Sequence, residues 1–361
     1  MAKPIISNAF KPIMTGRAVG LLIATILLSL LTASVSHTFL SSYTLFVLSR
    51  QMAFSILLAL AQAVCLVVGG MNMSVGAIGS MATVIMGLCL QDLGLNPWLT
   101  VPLVLLFGLA AGLLNGLIIT RLRINSFIVT LSTMFVYMGL RSGISGGSPY
   151  TIPDDFGFIG QESLFNISWV FVLVILILAG AAYVFSSTVF GRQLLATGGN
   201  ENAARLCGIA TDQMILWAHG ISGILAGLAA VLWASMIGSA APETGDTWLI
   251  GSFAVAIIGG TGLNGGSISI PGIFLGGAIF ILIQNGLIDI KANPYFANSF
   301  LGGLILLAIV LDRVREIVSA KRNSSEDSNR ATIAADPSRP MENFASSVEG
   351  THGGTEVSKR N

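Results

Sequence analysis

The sequence predicts an all-α polytopic membrane protein with about ten transmembrane helices, and three observations lead to that prediction. The 361-residue chain is 53% hydrophobic and only 10% charged, whereas soluble domains carry about 25% charged residues. Apolar runs near the length that crosses a bilayer, about 20 residues, recur from residue 18 to residue 311. Arginines gather in the connections 121–125 and 186–212 and acids in the connections between them, as expected when alternate loops face the cytoplasm.

Ten runs are predicted to span the membrane, and several of them contain glycine. A cleaved signal peptide ending near residues 33–36 is the alternative for the first run. However, its roughly 18 apolar residues exceed the usual core of such a peptide. The eighth run is short for a full span. The predicted spans are residues 18–35, 52–68, 75–90, 98–120, 126–143, 169–185, 213–237, 248–260, 271–288 and 300–311.

Loop charges orient these spans. Because Lys and Arg decide orientation, an internal N-terminus is predicted, with the internal arginines being Arg121, Arg123, Arg192, Arg205, Arg313 and Arg315. The external loops carry mainly acids, with Lys291 as the basic exception: Asp92, Asp154, Asp155, Glu162, Glu243 and Asp246. The division that follows is a cytoplasmic N-terminus (1–17), a transmembrane domain (18–312) and a disordered, polar cytoplasmic tail (313–361).

The longest cytoplasmic connection between spans is the polar loop 187–212. It contains the sequence FGRQLLATGGNENAARLCGIATD at 190–212, in which good helix formers follow Asn200. A short helix lying along the membrane surface is therefore predicted, and such a helix is a surface that the loop can offer to a partner.

Two motifs that suggest catalysis are excluded by their setting. The GxGxxG pattern at 260–265 lies between two spans, without the βαβ unit that a dinucleotide fold requires. Ser145 in a GxSG motif could pair with His219 in an intramembrane protease. However, Ser145 lies at the outer end of its span, and His219 lies roughly 9 Å from the cytoplasmic start of another. A nucleophile and its base must be within hydrogen-bond reach.

Polar residues within spans are costly and mark candidate pathway positions. They include Arg50, Gln51, Gln62, Arg141, His219, Gln284 and Asn285. The span interiors contain no Asp or Glu, which argues against the alternative of an ion-coupled carrier or facilitator. The net charge of +1 gives no sign of nucleic-acid binding, and the three cysteines lack metal-site spacing.

Small residues and a short repeat complete the pattern. Gly108, Gly112 and Gly116 share one helix face, as do Gly223 with Gly227 and Gly272 with Gly276. Such spacing favours close helix packing in lipid. The sequence Asn-Gly-Leu-Ile occurs at 115–118 and again at 285–288, in spans predicted to run in opposite directions. This is a weak indication of an inverted repeat.

Four blocks resemble the membrane subunits of ribose-type monosaccharide ATP-binding cassette importers, the family of ribose, xylose, arabinose and galactose permeases. They are GGMNMSVG at 69–76, INSFIVTL at 124–131, the FGR…ATGGNE…AARLCGI block at 190–209, and IGGT…GG at 258–266. The resemblance covers about residues 18–312. Asn72 stands where many relatives have Asp, and Ser267-Ile268 stands where another Gly is common, so substrate identity is not carried over.

The resemblance implies a type II importer fold with inverted repeats, working in the bacterial inner (plasma) membrane. Two permease chains, identical or paralogous, would form the pore. Cytoplasmic ATPase subunits would use ATP and Mg, a periplasmic sugar-binding protein would deliver a monosaccharide or polyol, and lipid would surround the chain. The absence of a GxxxxGK[ST] P-loop agrees with an ATPase on another chain, so that this chain is not an enzyme and binds no cofactor or metal.

By the same resemblance, residues 196–209 would be the helix that couples the permease to the ATPase. The coupling residues are predicted to be Asn200, Glu201, Asn202, Arg205, Leu206 and Gly208. The segment 69–72 is expected to be unwound at membrane level, where it either lines the pathway or is structural. The candidate pathway residues are Gln62, Gly69, Gly70, Asn72, Gln284 and Asn285.

Overall fold

The computed structural model describes residues 16–36, 39–153, 156–164 and 167–289, with five isolated residues between 299 and 310. The helices of the described part are α1 (Gly16–Val35), α2 (Ser42–Val67), α3 (Val75–Gly87), α4 (Pro97–Leu122), α5 (Ser126–Ser145), α6 (Phe158–Gln161), α7 (Trp169–Ser187), α8 (Val189–Gly199), α9 (Glu201–Leu206), α10 (Thr211–Ile237), α11 (Trp248–Ile258) and α12 (Ile270–Asp289). The strands are β1 (Tyr150–Thr151), β2 (Ser163–Leu164), β3 (Ile167–Ser168) and β4 (Ser239–Ala240).

Seven described helices are long and apolar enough to cross a membrane: α2, α3 with its π-helical continuation Leu88–Asp92, α4, α5, α7, α10 and α12. Two further helices are apolar but shorter, α1 over Ala18–Ser34 and α11 over Trp248–Ile258. The prediction of a polytopic helical membrane protein is confirmed, and the eighth predicted span is short, as expected. The predicted tenth span, the segment 1–15 and the tail 313–361 lie outside the continuously described residues.

The predicted start of the second span is wrong by ten residues, because α2 begins at Ser42. Ser41 caps it by accepting a hydrogen bond from the backbone N–H of Thr44 at 3.2 Å. The charge that marked a boundary in the sequence, Arg50, lies inside the helix with its guanidinium 5.2 Å from the centre of the Phe46 ring. An aromatic face stabilises that charge and lets the helix continue through it.

Helices α4 and α10 pack against each other through glycine. An added Cβ on Gly108 would collide with the backbone oxygen of Gly223, and one on Gly112 would collide with that of His219. Gly116 faces Leu216, whose Cα would lie 2.8 Å from an added Cβ. The glycine face predicted from the spacing in α4 is therefore used within the chain. It allows the two backbones to approach closely.

The described residues of the polar segment 146–168 pack against one end of α10. Strands β1 and β4 pair antiparallel, with Tyr150 opposite Ala240. Ser235 of α10 donates to the Phe156 carbonyl at 2.8 Å and accepts from the Gly160 N–H at 3.0 Å. Because both contacts are buried, they attach this predicted external loop firmly to α10.

Candidate functional site

Between α2 and α3 the chain is not helical over residues 68–74. Each backbone N–H from Gly69 to Ser74 nevertheless donates a hydrogen bond to another residue. Gly69 has a φ of +77°, a conformation that favours glycine. The Met71 N–H donates to the Ser126 hydroxyl and the Met73 N–H to the Thr130 hydroxyl, both at 3.0 Å. Polar side chains of α5 thus satisfy a backbone that could not otherwise lie inside a bilayer.

Asn72 is the centre of this unwound segment, and it is completely buried. Its Oδ1 accepts from the backbone N–H and the hydroxyl of Ser74, at 3.1 and 2.7 Å. Its Nδ2 donates to the Ser222 hydroxyl of α10 at 2.9 Å. Asn115 of α4 donates to the Ser74 hydroxyl at 2.8 Å, so the network joins the unwound segment to α4 and α10.

Gln62 completes the same network from α2. With its amide oriented to suit its neighbours, it donates to the Asn72 carbonyl at 3.0 Å and accepts from the Asn72 N–H at 3.2 Å. Like Asn72, its side chain is fully buried. The hydrogen-bonding groups of these two candidate pathway residues are therefore occupied by the protein itself.

Two further candidate pathway residues, Gln284 and Asn285, lie apart from this network, near the end of α12. Asn285 is partly buried and donates to Gln51 Oε1 of α2 at 2.8 Å. Gln284 beside it is also partly buried. The asparagine of each Asn-Gly-Leu-Ile sequence thus donates to the side chain of another segment, Asn115 to Ser74 and Asn285 to Gln51.

The polar loop forms two helices, α8 and α9, rather than the single helix predicted at 196–209. The break falls at Asn200, whose Oδ1 accepts from the Ala203 N–H at 3.0 Å and so caps α9. Gly208, with a φ of +81°, follows the end of α9, and its N–H donates to the Arg205 carbonyl at 3.0 Å. The helix formers that follow Asn200 thus form α9 as predicted, whereas the longer helix at 196–209 that the resemblance implied is divided by the cap at Asn200.

Glycines bring the end of α8 against the unwound segment. An added Cβ on Gly198 would collide with the Val67 carbonyl oxygen and lie 2.7 Å from the Gly266 nitrogen. The Gly266 N–H itself donates to that Val67 carbonyl at 2.8 Å. Gly265, with a φ of +82°, lies against both Gly198 and Gly69. Three chain segments, 67–70, 198–199 and 265–266, thus meet backbone to backbone.

Four charged side chains surround α9 and pair within the chain. Arg123, which follows α4 with a φ of +55°, makes two hydrogen bonds to Asp212, at 2.9 and 3.0 Å. Arg205 contacts Glu201 at 2.7 Å and Asp212 at 3.0 Å. All four are about half exposed. Two of the candidate coupling residues, Glu201 and Arg205, therefore hold α9 against the ends of α4 and α10.

The remaining surface of α9 is unpaired and points away from the bundle. Leu206 is 90% exposed, an extreme value for a large apolar side chain. Asn202 and Gly208 are exposed beside it, whereas Ala204 is the one buried residue of α9. The apex of α9 is therefore apolar, with polar groups around it.

A polar cavity of about 380 Å³ separates α9 from the unwound segment. Gly69 and Gly70 form part of its wall, and His219 lies against Gly70. Glu201 and Arg123 also line it. The cavity thus connects the charged cluster with the glycines of the unwound segment.

The protease alternative fails on geometry. The Ser145 hydroxyl accepts from the Gly147 N–H at 3.2 Å, and Ser145 itself is partly exposed at the end of α5. His219 is completely buried, with its Nδ1 3.0 Å from the Ile215 carbonyl oxygen. The two residues have different partners, and no nucleophile–base pair forms.

One polar contact was not predicted from the sequence. Arg141 of α5 contacts Asp246 at 2.7 Å, and the arginine side chain is only 5% exposed. Asp246 lies in the connection between β4 and α11. Arg141 itself stood out as a charge within a span, but only the folded connection shows which of several acids pairs with it.

The fold and these contacts define a polytopic helical membrane protein with a charged helix exposed at one end of its bundle. Comparison with known proteins identifies its type. A family model described as branched-chain amino acid transport system / permease component matches residues 43–310. The chain is 31% identical over 329 residues to the autoinducer 2 import system permease protein LsrC of Photorhabdus luminescens, covering 90% of this chain and 99% of that protein. It is 30% identical over 318 residues to the LsrC protein of Yersinia enterocolitica, covering 88% of each. No solved structure matches the chain significantly.

The chain belongs to the family of branched-chain amino acid transport system permease components. It is a non-catalytic, multi-pass membrane subunit of an ATP-binding cassette importer, and the resemblance predicted from four sequence blocks is confirmed. This membership decides against the ion-coupled carrier. A permease of this kind requires an ATPase and a solute-binding protein.

Proposed function

We propose that this permease imports a monosaccharide or related polyol across a bacterial inner membrane, with α9 as the helix that couples it to the ATPase. The likeness to autoinducer 2 permeases over most of both chains supports a small polar solute. The partner ATPase uses ATP and Mg, and this chain binds neither. A periplasmic protein delivers the solute, and a second permease chain, identical or paralogous, completes the pore within lipid.

The exposed apex of α9 is the observation on which the coupling proposal rests. An almost fully exposed leucine at the end of a six-residue helix suits an apolar pocket on a partner, because burying such a side chain contributes about 1.5–3 kcal/mol. Asn202 and Gly208 surround Leu206 in this contact. Glu201 and Arg205 hold the helix in place, and Asn200 caps it.

Contacts between backbones can transmit a movement of α9 to the membrane domain. Helix α8 ends at Gly199, and its Gly198 touches Val67 at the start of the unwound segment. We expect closure of the ATPase dimer to press on α9 and α8 and to shift this segment against α4, α5 and α10. Gln62 and Asn72 are then positioning residues of the unwound segment, while Gly69 and Gly70 line the cytoplasmic exit through the adjacent cavity. Gln284 and Asn285 remain candidate pathway residues on α12.

Replacing Leu206 tests the coupling proposal. We expect Leu206→Asp to abolish copurification of the ATPase and solute uptake, while the permease remains in the membrane at its normal amount, because the side chain makes little contact within the chain. Leu206→Met retains the apolar volume and is the matched control. Normal ATPase binding by Leu206→Asp would contradict the assignment of α9.

The solute class is tested separately through the binding protein. We would purify the complex in mild detergent, identify the binding protein associated with it, and measure its affinity for D-ribose, ribitol, autoinducer 2 and leucine. Tight binding of a sugar, polyol or autoinducer 2 supports the proposal. Selective binding of leucine, the class that the family description suggests, would overturn it.

A further inference from the structure

The contact between Arg141 and Asp246 leaves most of the arginine unused. Its Nη2 lies 2.7 Å from Asp246 Oδ1, while the buried Nε and Nη1 have no hydrogen-bond partner. An unsatisfied buried donor is destabilising, and more so when it is charged. Within a span, such a group indicates a functional position, and Arg141 takes no part in the coupling contacts described above.

Asp246 is held firmly in place beside the arginine. The preceding Gly245 donates its N–H to the Ser80 hydroxyl at 2.9 Å. Backbone contact between Gly245 and Gly76 leaves no space for a side chain on either. The ring of Trp248, two residues after Asp246, occupies the space beside Gly79. The carboxylate is therefore presented by a connection that is packed against α3.

The pair is accessible from one side. The Asp246 side chain is 39% exposed, whereas that of Arg141 is 5% exposed. A molecule that contacts the carboxylate therefore lies next to the guanidinium, whose Nε and Nη1 are buried in this conformation, so the arginine side chain must rotate to bind it. Because β4 and the predicted external loop adjoin this connection, we place the pair toward the side from which a binding protein delivers solute.

The opposite charges of Arg141 and Asp246 limit which chemical groups can bind between them. An anion that approaches the free N–H groups meets the Asp246 carboxylate, and a cation that approaches Asp246 meets the guanidinium. A hydroxyl group can accept from the one and donate to the other. We propose that Arg141 and Asp246 bind hydroxyl groups of the transported solute, a neutral polyhydroxylated molecule, on the outer side of the permease. This inference rests on the proposed function.

Analogues that lack one hydroxyl test this contact directly. Uptake would be measured with the complete transporter in proteoliposomes, comparing D-ribose with 2-deoxy-D-ribose and ribitol with 2-deoxyribitol. Each solute would saturate the binding protein, so that its selectivity does not enter the rates. In the wild type we expect a loss of about fivefold for at least one deoxy analogue, the effect of one hydrogen bond. In Arg141→Lys and Asp246→Asn we expect the ratio of the two uptake rates, parent solute to deoxy analogue, to lie within about twofold of one.

A gate closed by this ion pair alone predicts a different pattern. The exchanged variant, Arg141→Asp with Asp246→Arg, would then restore the wild-type rate of uptake. Every variant would also keep the wild-type ratio of uptake between parent solute and deoxy analogue. Either result, or a wild type that does not distinguish the analogues, would overturn the inference while the proposed function stands. Arg121→Lys, on an exposed arginine at the end of α4, is the control and should keep the wild-type ratio. If the wild type imported leucine but neither D-ribose nor ribitol, both the proposed solute class and this inference would be overturned.

Discussion

Residues 68–74 and residues 259–269 are interruptions between described membrane helices, and most of their contacts are of different kinds. In the first, hydroxyl and amide side chains from other helices bind the exposed backbone, as Ser126 and Thr130 do. Both interruptions begin with backbone bonds, Gly70 to Cys65 in the first and Thr261 to Ala256 in the second. In the second, the contacts that follow are also mainly between backbones. The Thr261 hydroxyl is buried there without a partner.

Because of this difference, the two interruptions place different requirements on the amino-acid sequence. The first interruption requires particular polar side chains, because its hydrogen bonds end on them. The second requires the absence of side chains, because Gly259 lies against Gly272, and Gly265 lies against Gly198. The two meet where the Gly266 N–H binds the Val67 carbonyl. A perturbation at that meeting point should therefore affect both.

The largest effect is expected from a side chain at the meeting point itself. In Gly198→Val the new Cβ would collide with the Val67 carbonyl oxygen, and no rotamer relieves a clash of Cβ with backbone. We expect the free energy of unfolding in mild detergent to fall by about 3–5 kcal/mol and uptake to be lost. Gly180→Val in α7, where nothing lies within 4 Å of an added Cβ, is the control. Equal stability of the two variants would show that the segments do not touch as described.

A smaller effect is expected at the centre of the first interruption. Asn72→Leu removes the side-chain acceptor of Ser74 and the donor to Ser222. We expect it to lower the free energy of unfolding by about 2–4 kcal/mol, since buried partners are left unsatisfied. Asn72→Asp keeps the acceptor oxygen, and the Ser222 hydroxyl can reverse its role and donate, so its loss should be smaller than that of leucine.

Chemical denaturation of the purified permease would compare these variants. Asn202→Leu provides the control, because Asn202 is exposed on α9. If Asn72→Leu were as stable as the wild type, the buried network would not hold the interruption. If Asn72→Asp were the less stable of the two, the polar role assigned to Asn72 would be wrong.

The contrast also explains which features could be predicted from sequence. Long apolar runs and the close packing of Gly108 and Gly112 follow from composition and spacing alone, since lipid requires both. The cap at Asn200 was missed because its effect depends on one side-chain rotamer rather than on helix propensity. The pairing of Arg141 with Asp246 depends on how a connection folds back onto α3, which no local pattern encodes. Local signals thus identify spans, whereas the contacts between interruptions come only from tertiary structure.

The smallest effect on stability is expected at the charges around α9, two of which line the cavity beside the first interruption. Their side chains are 44–55% exposed, and ion pairs of this kind contribute about 0–1 kcal/mol. Glu201→Lys and Arg205→Glu should therefore leave the protein folded in the membrane, yet misplace α9 and uncouple ATP hydrolysis from uptake. Combining Glu201→Arg with Arg205→Glu reverses the pair and should restore part of the coupling, since the two residues bind each other at 2.7 Å. Uptake and ATPase rates of the reconstituted transporter measure this, with Arg192→Glu on α8 as control. Normal coupling in both single variants would mean that the position of α9 does not depend on these charges.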